Sequence, residues 1–371
     1  MSRIRKNKLL ASKKAQEAET QFKWIFVLIA GAVIIGFFSI VVIKQKASSE
    51  TSISAKLTQQ LNTVLTGSKV TAGTFQEIDT PKFSVEFSCN DYYVGDISKR
   101  LNNKIVFAPE KIEGRMINTW TLEWNAPYKV ANFLYITNPD IRYVFVVEES
   151  LKDLSFFEQL NTSLPVKLNR NFNILTYDED PESEYSTLKP RAETHTRFIY
   201  LTEEKFTPKI PPLFSGREVS GLLILPIYAG TGDINNLVFL KNDGDELVVR
   251  ELQDSTFTKI RYLDNPTLYG AIFSTNPDTY VCTLNKAWLQ WNVMSEVISE
   301  KVLQLKELLV DTTCSKIYLR GAVENPSGIP GEIAKNTKLG YDPELNILGN
   351  YVSSLKNINN ELQLRSCPLL Y

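Results

Sequence analysis

Hydrophobic positions change their spacing along the chain. Residues 24–43, WIFVLIAGAVIIGFFSIVVI, are apolar throughout and carry no charge. A helix of that length crosses a bilayer core of roughly 30 Å. From Phe83 to about 274 the pattern alternates or forms short apolar runs, as strands do. From Cys282 onward the spacing becomes helical.

Residues 50–66 predict a short amphipathic helix, with Ile53, Leu57, Leu61 and Leu65 at spacing four and Gly67 ending it. It reads as a stalk lifting the ectodomain off the membrane. FSVEFSC alternates and stops at Cys89. DISKRL predicts a helical turn, and KIVFA a short strand ended by Pro109. Residues 115–124 alternate as a strand, with Trp120 and Trp124 on one face. Asn125 as cap and Pro127 in the first turn predict a helix near 126–135. IRYVFVV is apolar on both faces and predicts an interior strand covered on both sides. A helix over 150–160 and a strand at FNILTY, 172–177, give a β-α-β order and a parallel pair. A polar loop spans 178–195. FIYLTE and VSGLLILPI are strands, NLVFLK and ELVVRE a hairpin about Asp243-Gly244, and LYGAIFS a last strand.

Thr283 then caps a long helix whose stripe includes Leu284, Trp288, Trp291, Ile298 and Val302. Asp342-Pro343 opens a second helix, with Leu345, Leu348, Val352, Leu355 and Leu362 on one face. Both stripes read as core faces. The fold class is therefore α+β: an N-terminal transmembrane helix, a mixed β-sheet ectodomain and a helical C-terminal part. The segments are 1–23, a basic cytoplasmic tail; 24–43, the span; 44–80, a stalk or linker; 81–281, the mixed α/β ectodomain; and 282–371, the helical region.

Charge orients the span. Arg3, Arg5, Lys6, Lys8, Lys13, Lys14 and Lys23 precede it against Glu17 and Glu19, which places the N-terminus in the cytoplasm and residues 44–371 outside. A cleaved signal peptide has a shorter apolar region, about 7–15 residues, so the span reads as an anchor. The net charge of −1 combines this basic tail with a mildly acidic ectodomain, which argues against a nucleic-acid partner. The expected partners are the bilayer, through residues 24–43, and other membrane or surface proteins.

All four cysteines, Cys89, Cys282, Cys314 and Cys367, follow the span, as two disulfides on an oxidising side would require. A straight helix over 283–309 is on the order of 40 Å long, which separates Cys282 from Cys314. The favoured pairing is Cys282–Cys367 with Cys89–Cys314; Cys89–Cys282 with Cys314–Cys367 is the alternative.

Chemical motifs are sparse. His195 is the single histidine, which excludes multi-histidine metal sites. It lies in the polar loop with no nucleophile elbow nearby. Tyr228–Asp233 reads as a plain glycine turn rather than a phosphate loop, and Asp178, Glu179, Asp180, Glu182 and Glu184 as a solvated acidic loop rather than a calcium site. Asn161-Thr162-Ser163 is an N-glycosylation acceptor triplet. No catalytic, cofactor-binding or metal-binding residue is singled out, and no cofactor is expected.

Three stretches, TQFKWIFVLIAGAVIIGFF at 20–38, FSVEFSC, and TYVCTLNKAW at 279–288, resemble uncharacterised single-pass membrane proteins of archaeal type. The resemblance implies an archaeal cell surface and carries over no activity or site residue. The expectation is a non-enzymatic binding or assembly subunit held at the cell surface. The alternatives are a surface hydrolase using Asp/Glu carboxylates and an accessory subunit of a pilus or secretion complex.

Overall fold

The computed structural model describes residues 3–68, 71–151, 160, 162–178, 181–188, 195–202, 206–225, 236–253, 260–310, 312–318, 327–338 and 345–371. The chain divides into two compact units, 1–56 and 57–371.

The first unit is helical. Helix α1 runs over Arg3–Gly67, and its apolar stretch is long and apolar enough to cross a membrane. Trp24, Leu28, Ile35 and Phe38 are all exposed, as a lipid-facing surface would be. The C-terminal end of α1 belongs to the second unit. There Leu57, Leu61 and Leu65 are buried in its core, and Thr58 O accepts from the Tyr92 hydroxyl at 3.3 Å. The stripe read as a free-standing stalk is thus a core element, because a spacing of four places one leucine per turn against the sheet.

Among the described residues, the second unit is α+β, with two mixed six-stranded sheets where a single one was expected. The first contains β1 (Phe75–Phe87), β2 (Asp91–Val94), β3 (Ile97–Arg100), β4 (Val106–Phe107), β5 (Lys111–Asn125) and β6 (Lys129–Thr137), in the order β3-β2-β1-β5-β6-β4. Its pairs are antiparallel except β4 with β6. The second contains β7 (Ile141–Glu148), β8 (Phe172–Tyr177), β9 (His195–Leu201), β10 (Glu218–Leu225), β11 (Asn236–Asp243) and β12 (Glu246–Val249), in the order β12-β11-β10-β9-β7-β8. Strands β8, β7, β9 and β10 are parallel, and β11 and β12 continue antiparallel.

Strand β7, the IRYVFVV run, lies between β8 and β9. Its side chains alternate between two cores. Tyr143, Phe145 and Val147 face the main core, while Val144 and Val146 join Phe198, Tyr200 and Leu223 in a second cluster on the other face. Two-sided apolarity thus reports a sheet covered on both faces.

Among the described residues, five helices of six or more residues follow α1: α2 (Asn265–Phe273), α3 (Pro277–Leu308), α4 (Thr313–Tyr318), α5 (Gly328–Thr337) and α6 (Leu345–Leu364), besides a helical turn at Pro181–Glu184. Asp264 caps α2 in a capping box with Thr267, so LYGAIFS is helical and not a strand. Asn276 caps α3, with Pro277 at its first position, so this helix begins before Thr283. DISKRL forms β3, paired with β2, instead of a helical turn. Residues 126–135 are not helical: a turn with a cis Ala126–Pro127 bond leads into β6, paired with β5. The Asn-x-Pro signature belongs to that turn. Most of the helix expected over 150–160, and the Asp342-Pro343 cap, lie outside the described residues.

The disulfides are Cys89–Cys282 and Cys314–Cys367, each with Cα atoms 5.8 Å apart. This corrects the favoured pairing. Helices α4 and α5 intervene before α6, so the chain end returns to the C-terminal part of α3, where Lys301 Nζ donates to Leu370 O at 3.0 Å and the Tyr318 hydroxyl to Pro368 O at 2.8 Å. One bridge still ties the first sheet to the C-terminal helices.

Candidate functional site

His195 opens β9 instead of lying in a loop, and three polar side chains gather about it through strand pairing. In the parallel register of β9 and β10, His195 faces Glu218 and Arg197 faces Ser220. Side chains two apart on a strand share a face, so all four lie on one side of the sheet. His195 Nδ1 is 3.2 Å from Glu218 Oε1, and His195 Nε2 is 2.9 Å from Ser220 Oγ. Arg197 Nη1 donates to the same Oγ at 3.0 Å.

Arg197 is the anchor of this group. It is wholly buried, and its Nε and Nη2 donate to the carbonyls of Ile272 at 2.9 Å and Ala271 at 3.1 Å, in the last turn of α2. Those carbonyls have no helical partner, and a cation suits the negative end of the helix. The guanidinium also lies 5.4 Å from the centre of the Phe239 ring. Burial pushes its pKa down to about 9, which leaves it charged at neutral pH.

The donors fix the protons. Arginine only donates, so the Ser220 oxygen accepts from Arg197. The hydrogen bond from His195 holds the Glu218 carboxyl below the usual carboxylate range, so it is ionised at neutral pH and only accepts. In the tautomer that fits these partners, the His195 proton sits on Nδ1, towards Glu218. Its Nε2 is left as an acceptor for the Ser220 hydroxyl.

His195, Glu218 and Ser220 line a cleft of about 400 Å³. Glu110, Lys111, Lys241 and Arg250 stand around it. Arg250 pairs with Glu110 at 3.0 Å, and Lys111 with Glu113 at 2.6 Å. Ser220 and His195 are nearly buried, whereas the Glu218 side chain is 62% exposed, so the relay opens to solvent at its acidic end. A second cavity of about 720 Å³ is larger, and Tyr185, Pro211, Pro212 and Leu213 give it an apolar wall. The smaller cleft is the candidate site, because there titratable groups converge on a hydroxyl.

The other residues singled out from sequence do not assemble with it. The four cysteines are consumed in disulfides. Asn161 and Tyr228–Asp233 lie outside the described residues, as do Glu179 and Asp180. Glu182 pairs with Lys209 at 3.3 Å. Among the described residues, no group of three or more His, Cys, Asp or Glu is placed to hold a metal. Ser220, Glu218 and Arg197 were not legible as a site. The only sequence signal was their spacing of two on adjacent strands, which means nothing until the register is known.

No protein-family model, curated protein or solved structure matches the chain.

Proposed function

We propose that this is a membrane-anchored extracytoplasmic binding protein, which holds its ectodomain at the membrane and presents the His195 cleft to a small polar ligand. The observation that carries the reading is the uninterrupted apolar, outward-facing helix after a basic tail, in a chain whose ectodomain cysteines are all paired. The cleft has the volume of a small-molecule site and a charged, hydrogen-bonding wall.

The test is topological. Protease added to intact cells removes the ectodomain and leaves a short N-terminal fragment in the membrane. An ectodomain protected in intact cells and cut only after lysis overturns the orientation.

The carboxylate-only hydrolase reading is the weaker one. Such chemistry needs a carboxyl held protonated at working pH. Glu218 is shifted the opposite way, and Glu110 is committed to Arg250.

A further inference from the structure

We propose that the cleft at the start of β9 and β10 is an acyl-transfer site, with Ser220 as nucleophile, His195 as general base and small carboxylic esters as the substrate class. The proposal rests on the surface-protein reading only for the side of the membrane on which substrate is met.

The argument is the direction of the hydrogen bonds. Glu218 Oε1 at Nδ1 and Ser220 Oγ at Nε2 put carboxylate, imidazole and hydroxyl in the order that base-assisted attack requires. Arg197 occupies one lone pair of Oγ and directs its proton towards His195. Its bonds to α2 fix it, so the serine is positioned by a buried cation instead of a strained strand-to-helix turn.

In the reaction, Oγ attacks the ester carbonyl carbon while its proton passes to Nε2. The tetrahedral oxyanion collapses, the carbon–oxygen bond to the leaving group breaks, and the departing alkoxide takes the proton from Nε2. Water then attacks the acyl carbon on Ser220, giving up a proton to His195; the bond from that carbon to Oγ breaks, Oγ takes the proton back from Nε2, and the acid is released. Water is the only co-reactant. Lys241, Arg250 and the Thr275 hydroxyl line the cleft and supply donors for developing negative charge. An alkoxide leaves more readily than an amide nitrogen, so an ester asks less of a relay that is exposed at its acidic end.

The test uses the full-length protein in detergent micelles, a biotinylated fluorophosphonate, and mass spectrometry of the adduct. The expected result is phosphonylation of Ser220, absent in Ser220→Ala and slowed on the order of 100-fold in His195→Ala. Glu218→Gln, at a mostly exposed side chain, leaves the melting temperature unchanged and slows labelling several-fold. No adduct on Ser220 in protein with intact disulfides overturns the proposal, and so does an equal rate in His195→Ala. Ser220→Cys gives a second readout, because the native cysteines are all paired. Iodoacetamide should alkylate the introduced thiol faster when His195 is present; a thiol that stays unmodified in the folded protein shows a sealed site and overturns the proposal. Failure in micelles leaves the topological reading standing, and protection of the ectodomain in intact cells overturns that reading without touching the adduct.

Discussion

The indole Nε1 of Trp124 donates a 2.7 Å hydrogen bond to Oδ2 of Asp264, the residue that caps α2. Trp124 lies on β5 and packs edge-on against Trp288 and Trp291 of α3. One carboxylate therefore joins the first sheet to the helix whose far end holds Arg197. Asp264→Ala should remove a cap worth about 0.5–2 kcal/mol. It should also orphan a buried indole donor, at a further cost of about 1–3 kcal/mol. Denaturant titration measures the sum.

The same carboxyl has a pH signature. Burial raises its pKa above the ordinary aspartate value, against the lowering by the Trp124 and Thr267 bonds. A group raised in the folded state contributes stability that is full below its unfolded pKa and lost as pH rises through the folded one. Stability should therefore fall in the parent as pH rises from the unfolded aspartate pKa through the raised folded one, and lack that component in Asp264→Ala. Melting temperatures measured at closely spaced pH values check it.

Arg197→Met should cost about 3 kcal/mol or more, because hydrogen bonds from a charged donor are worth about 1.5–3 kcal/mol each and two α2 carbonyls lose theirs. Arg197→Lys should recover only part, since an ammonium cannot match the planar fork that reaches Ala271, Ile272 and Ser220 together. Equal stability of the Met variant and the parent would contradict the anchoring role.

Non-reducing peptide mapping should find Cys89 joined to Cys282 and Cys314 to Cys367. The bridges span sequence separations of 193 and 53. Chain-entropy arithmetic gives about 5 and about 4 kcal/mol for loops of these lengths. Replacing Cys89 and Cys282 by Ser should therefore destabilise more than replacing Cys314 and Cys367.

What the sequence made legible depended on whether the deciding interaction was local. The long apolar N-terminal helix, the interior strand Ile141–Glu148 and the hairpin about Gly244 are written in consecutive residues and are present in the structure. Residues 126–135 read as a helix and are strand and turn, while 268–274 read as a strand and lie in a helix and its cap. A proline turn between two strands copies a helix start, and a buried helix shows no polar face to betray its period. The candidate site was hidden for a stronger reason. His195 and Ser220 are 25 positions apart and meet only because β9 and β10 pair in one register. No local pattern carries that register.

The last prediction tests where the apolar N-terminal helix ends and the folded second unit begins. Leu57, Leu61 and Leu65 carry the periodicity of a short stalk, a reading that leaves them at a surface. In the structure they are among the most buried side chains of the main core, with Leu61 at 0% exposure. Tyr92 of β2 belongs to the same core, its hydroxyl donating to Thr58 O. Leu61→Ala should then cost about 2–5 kcal/mol, the range for truncating a core leucine and leaving a cavity. On an exposed stalk the same change would stay within about 0.5 kcal/mol. Ser52→Ala, at an exposed position one residue before Ile53, is the matched control and should be neutral. Unfolding of both variants in the same detergent separates the readings. A near-neutral Leu61→Ala would return this segment to the linker and remove it from the core.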